Sequence, residues 1–154
     1  MDLSKLLIPG AVRVMSHATS KKRLFQEVGE SAALAYGIAG GPAIEGLMER
    51  EGLGPTGVGH GIALPHARLA DLDRIIGVFL RLEKPLDYES VDRQPDDLIF
   101  ALFAPKDSGV DHLKALAQVS LTMRDASVVT KLRSNGDPAK LYAILTEARA
   151  PQAA

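Results

Sequence analysis

Two short runs, Ile75 to Leu82 and Leu98 to Ala104, constrain the fold more than any other feature of the chain. Both are almost continuously apolar and rich in branched or aromatic side chains. A strand with one wet face alternates apolar and polar residues. A nearly unbroken run predicts a strand covered on both faces. Both fall far short of the roughly 18 apolar residues that a membrane-spanning helix requires. The chain has 154 residues, which suits one domain burying roughly 70% of its unfolded surface. Helical patterns lie before and after these strands, which predicts a layered α/β domain with a small sheet.

Further elements follow from local signals. Ala11 to Met15 reads as a first strand after a Pro9-Gly10 turn. Ser20 is placed to cap a helix carrying Leu24, Val28, Ala32 and Ala35 at helical spacing, with Gly37 as its stop. Gly40-Gly41-Pro42 predicts a second helix with Ile44, Leu47 and Met48 on one face, ending by Gly52. After the strands, Asp111 is expected to cap a helix whose inner face is Leu113, Leu116, Ala117, Ser120 and Leu121. Ser127 is expected to open another, with Val128, Val129 and Leu132, closed by Asn135-Gly136. Asp137-Pro138 predicts a last helix reaching about Arg149. The domain is expected to span residues 3–149, with 150–154 a disordered tail.

Chemistry concentrates between Gly57 and His66. Gly57, Gly59 and Gly61 form a loop that allows tight backbone paths and close approach of main-chain N–H groups to an anion. Ile62 to Leu64 read as a brief buried strand that Pro65 closes, which would present His66 at a strand terminus. The ordinary reading of such a residue is a solvated or hydrogen-bonded histidine. The functional one is a nucleophilic imidazole. His112 has the same two readings, a helix-edge histidine or a site residue. Arg50 is either a solvated cation at a helix C-terminus or a phosphate ligand, and Thr56 either a turn hydroxyl or a donor to the same oxygens.

Composition narrows the classes. A net charge of −1 gives no basic footprint for nucleic acid. The absence of cysteine removes disulfides and thiolate chemistry. The N-terminus, with Asp2 and an apolar run broken by Pro9, does not read as a secretory signal, so a cytoplasmic protein is expected. Gly52 to Gly57 satisfies GxGxxG literally, but a dinucleotide site needs a strand before it and a helix after it, the reverse of the order here. A zinc site using His60, His66 and His112 is disfavoured, because an extended 60–66 segment separates two of the imidazoles by roughly 20 Å.

The segment Gly61-Ile62-Ala63-Leu64-Pro65-His66 resembles the active-site segment of phosphotransferase-system IIA domains of the mannitol/fructose type, most of all the nitrogen-regulatory kind. The likeness continues through Glu49-Arg50-Glu51, Pro85-Leu86-Asp87-Tyr88, Asp97 to Leu102 and Asp111-His112-Leu113, in the family order over most of residues 3–148. It implies a mixed sheet with helices on both faces. It also implies a phosphocarrier in which His66 accepts a phosphoryl group from an HPr-like protein, with His112 and Arg50 beside it. Thr56, Gly57 and Gly59 would bind phosphate, and Arg68 would flank the site and contact partners. The family leads one to expect asparagine where His60 stands. No nucleotide, metal or organic cofactor is implied. Downstream partners would be regulatory targets or a sugar permease component, and a sugar-uptake IIA or a pure interaction module are the alternatives.

Overall fold

The computed structural model describes residues 2–147. Its centre is the second of the two apolar runs. Strand β6 (Asp96–Pro105) pairs antiparallel with β5 (Ile76–Leu86) on one side, and Leu98 to Ala104 are fully buried. Beyond β5 lies β1 (Val12–Met15), in parallel. On the other side β6 carries two short parallel strands end to end, β3 (Ile62–Ala63) and β4 (His66–Leu69). The hairpin strand β2 (Gly57–Gly59) adds to β3 alone, so β4 has no strand on its outer edge among the described residues. Among the described residues the result is a mixed, open sheet of six strands with five α-helices in one domain, the architecture expected.

The Pro65 region differs from its expectation. Ile62 lies opposite Leu98 and His66 opposite Leu102, so β3 and β4 keep one register along β6. Pro65 interrupts this strand and does not end it. It offers no N–H, yet its carbonyl still accepts the Leu102 N–H at 3.0 Å. His66 therefore begins a strand, with its backbone held from both directions. Strand alternation then divides its neighbours. Ala67 approaches helix α2 (Gly40–Gly52), where a Cβ at Gly46 would sit 2.9 Å from that of Ala67. His66 and Arg68 point the other way, toward helix α3 (Val110–Arg124).

The expected helix ends hold at Ser20, Gly37 and Pro138, whereas Asp111 and Ser127 do not cap their helices. Ser20 accepts the Arg23 N–H ahead of helix α1 (Lys21–Tyr36), and Gly37 closes it in the left-handed region at φ 72°. In α2 the inward residues are Ala43 and Leu47, while Met48 is exposed. Helix α3 is a clear correction. Its cap is Gly109, Asp111 lies in the first turn, and the buried stripe is His112, Ala115, Val119, Thr122 and Met123. Leu113 and Leu121, expected inside, face out. Helix α4 (Ala126–Arg133) is capped by Asp125, whose carboxylate accepts the Ser127 N–H, and α5 (Pro138–Glu147) starts at the expected proline. The expected extension to Arg149 and the 150–154 tail lie outside the described residues.

Gly57 shows why this loop is built from glycine. A Cβ there would overlap Ser90 Oγ and stand 2.9 Å from Ser90 Cα. Ser90 in turn donates to the buried carboxylate of Asp96 at 2.5 Å, so it cannot step aside without breaking that bond. Gly57→Ala is expected to lower stability by about 1–3 kcal/mol, the usual cost of overpacking. Denaturant titration reads this directly, and an unchanged midpoint would mean that the 88–92 segment yields freely.

Candidate active site around His66

His66 is partly buried at the open edge of the sheet. Its Nδ1 lies 2.9 Å from the carbonyl oxygen of Leu64, two residues earlier. A carbonyl only accepts, so the ring proton sits on Nδ1 and Nε2 keeps a free lone pair. Burial lowers the His66 pKa below the ordinary histidine value, the Leu64 bond works against this, and the Arg50 guanidinium adds to the lowering. The ring is neutral at pH 7 and nucleophilic without a separate base.

His112, on the first turn of α3, packs edge-to-face on His66 with ring centroids 5.6 Å apart. It is 5% exposed. Its Nδ1 accepts from Arg68 Nε at 3.2 Å, and its Nε2 is buried without a hydrogen-bond partner. Burial, then the neighbouring His66 and Arg68, push its pKa down to about 4. Arg50, in the last turn of α2, spends one N–H on the Gly54 carbonyl at 2.9 Å and lines the same cleft as His66. Four of its five guanidinium N–H groups are left for other acceptors. His66, His112, Arg50 and Arg68 are thus brought together.

The glycine loop is placed differently. Gly57 packs against Ser90 and Gly59 against Asp92, and of this loop it is Val58 that lines one of the clefts that His66 borders. Thr56 does line the cleft, but its hydroxyl proton goes to Glu51 Oε1 at 2.5 Å. Glu51 also accepts from Thr56 N–H, Tyr88 hydroxyl and Lys21 ammonium. This buried hub anchors the end of α2 to the loop, and neither Glu51 nor Tyr88 had a role assigned from sequence. Both stand in segments that carried the family resemblance, which was the available signal. Arg68 was read as a partner contact, although its i, i+2 relation to His66 on a strand was enough to put both on one face.

His60 sits at φ 59° in the turn between β2 and β3. Its N–H donates to Asp92 and its carbonyl accepts from Arg133. Histidine, like asparagine, tolerates this left-handed region, so the exchange keeps the turn. His60 is not among the residues lining the His66 clefts. Among the described residues, no three histidine or carboxylate side chains converge as a metal site would need, and no helix is long and apolar enough to cross a membrane.

An edge-presented imidazole thus shares a cleft with a second histidine and two guanidinium groups. The sequence profile of the family described as "Phosphoenolpyruvate-dependent sugar phosphotransferase system, EIIA 2" matches residues 5–148. The chain is 42% identical to a nitrogen regulatory protein of Bradyrhizobium diazoefficiens, over 94% of this chain and 95% of that one. It is 36% identical to the nitrogen regulatory protein of Escherichia coli, over 96% and 91%. The crystal structure of nitrogen regulatory protein IIA-Ntr from Neisseria meningitidis superposes with a TM-score of 0.85 at 31% identity, covering 94% of this chain and 99% of that one. The chain belongs to the type-2 EIIA family of the phosphotransferase system, among homologues of the nitrogen regulatory proteins.

The electrostatics give a titration test. Lowering of the His112 pKa stabilises the fold above the ordinary 6.5, and this is lost as pH falls through about 4. Asp96 is raised by burial from 3.8 to about 6, so its contribution is present at low pH and lost as pH rises through about 6. The two slopes oppose each other between about pH 4 and 6, and global stability would hide both. Site-resolved imidazole NMR should show His112 neutral to about pH 4. His112 titrating at the ordinary histidine value would contradict the packing described.

Proposed function

We propose that the protein is a histidine phosphocarrier of the nitrogen-regulatory phosphotransferase branch, accepting a phosphoryl group on His66 Nε2 from an HPr-like protein. The observation that carries this is the Leu64 carbonyl on His66 Nδ1, which leaves Nε2 as the nucleophilic atom. The lone pair of Nε2 attacks phosphorus and a P–N bond forms. The P–N bond to the donor's histidine breaks, and that imidazole leaves with the electron pair. The Nδ1 proton stays on His66, and the positive charge that spreads over the ring is stabilised by the Leu64 carbonyl.

Three phosphoryl oxygens then need partners. His112 Nε2–H and the unused N–H groups of Arg50 supply them, and both belong to the wall of the His66 cleft. Thr56 serves through its link to Glu51, holding the loop, and the glycines serve by close packing. Around this polar centre the surface is apolar: Leu53 is 83% exposed and Leu113 is 62% exposed. The outward stripe of α3 makes the cleft a place for a protein surface to dock, which suits transfer between proteins. Phosphorylation would add about −1.5 to −2 charges at the middle of that face, so a regulatory partner can distinguish the two forms. Coverage of more than nine-tenths of both chains with nitrogen regulatory proteins favours regulation over sugar uptake.

The test uses phosphoenolpyruvate, enzyme I and an HPr-like protein, with the phosphate mapped by mass spectrometry. His66→Ala is expected to take up no label. His112→Ala and Arg50→Ala are expected to fold and to exchange phosphate about ten- to a hundredfold more slowly, the scale of one charge-assisted hydrogen bond. Normal labelling of His66→Ala would overturn the assignment.

A further inference from the structure

The Arg68 side chain is held by the histidine cluster itself. Its Nε donates to His112 Nδ1 at 3.2 Å, and its Nη1 donates to the Lys106 carbonyl at 3.2 Å. Two anchors at right places fix a long side chain that would otherwise be free at an exposed strand edge. A guanidinium has donors only and does not deprotonate in proteins. Whatever it contacts must therefore accept.

We propose that Arg68 is a positioning residue, whose bond to Nδ1 keeps the single proton of His112 on Nε2 and so makes that ring a donor toward the group carried by His66. The statement rests on the phosphocarrier reading for its purpose, but not for its geometry. A neutral imidazole has one proton and two nitrogens, and either nitrogen can carry it. With Nδ1 occupied by an obligate donor, the proton has one place left. That place is the buried Nε2 without a partner in a ring that packs on His66. A buried N–H without an acceptor is costly, and the phosphoryl oxygens would relieve it. The same bond opposes a second proton on His112, since Nδ1–H and the guanidinium cannot face each other. His112 then acts as a neutral hydrogen-bond donor, not as an imidazolium.

His66 is oriented by the opposite device. An acceptor, the Leu64 carbonyl, holds its Nδ1, and an empty Nε2 results. One ring is prepared as nucleophile and its neighbour as donor, by partners of opposite polarity. Because β4 alternates, the residue that orients the second ring is carried two positions from the first, on the same face of the same strand.

Two substitutions separate the possibilities. Arg68→Met keeps the side-chain shape as far as the Nε position and removes the donor. Arg68→Lys keeps a donor-only, cationic head. Imidazole nitrogen NMR of the unphosphorylated protein should show His112 wholly as the Nε2–H form in the wild type and in Arg68→Lys, and as a mixture of tautomers in Arg68→Met. Phosphoryl exchange should fall about ten- to a hundredfold in Arg68→Met, the scale of one charge-assisted hydrogen bond to a phosphoryl oxygen. It should be largely restored in Arg68→Lys. In a His112→Ala background, Arg68→Met should cost nothing further. An Nδ1–H form in the wild type, or an unchanged tautomer and rate in Arg68→Met, would overturn the proposal. So would an equal loss in both backgrounds, which would make Arg68 a direct phosphate ligand. If wild-type His66 accepts no phosphate at all, the phosphocarrier reading fails, while the NMR comparison still decides what Arg68 does.

Discussion

The pairing of β6 with three neighbours underlies everything else. Its Leu98 to Ala104 segment is buried on both faces, and its backbone groups are taken by β5 on one side and by the β3–β4 line on the other. Backbone groups at that depth are costly to leave unpaired, so the register of β4 is tightly set. A one-residue slip would turn His66 and Arg68 toward α2 and bring Ala67 to α3. The direction in which His66 points is thus a property of the core. Pro65 fits here because its carbonyl still takes the Leu102 N–H while the chain loses only one donor.

Electrostatic design follows from that placement. Both histidines lose basicity to burial, and neither has a carboxylate in hydrogen-bond reach. Glu51, the acid whose charge partly offsets the lowering of the His66 pKa, is surrounded by the Lys21 ammonium, the Thr56 N–H and hydroxyl, and the Tyr88 hydroxyl. Its charge is turned inward, where it ties α2 to the loop and to the Tyr88 segment. A carboxylate facing the rings would favour imidazolium, removing the nucleophilic lone pair, and would repel an incoming phosphoryl group. On the proposed reading the site instead presents donors: one N–H from His112 and the guanidinium of Arg50.

Much of the layered fold could be read from the chain, and the reasons are local. The unbroken apolar runs announced β5 and β6, and Ser20, Gly37 and Pro138 marked helix ends through capping chemistry that depends on few neighbours. Helix α3 misled because Leu113 and Leu121 face outward, Leu113 at the His66 cleft, while His112, Ala115, Val119, Thr122 and Met123 face in; periodicity alone reports a stripe, not what covers it. His66 and His112 were found through motif resemblance, and their contact needed the register of β4. Arg68 and Glu51 show the limit more sharply. They meet partners 44 and 30 residues away along the chain, and no local pattern encodes those meetings. The glycine loop was read as an anion cradle, whereas its tight approach is to Ser90 and Asp92.

The central claim is that the Leu64 carbonyl selects which nitrogen of His66 reacts. It is tested most directly by phosphorus and nitrogen NMR of the phosphorylated protein, with the imidazole nitrogens labelled, so that the nitrogen bonded to phosphorus is identified by its coupling. The account predicts a phosphoryl group on Nε2 of His66, with Nδ1 still protonated. A phosphoryl group on Nδ1, or on His112, would contradict it.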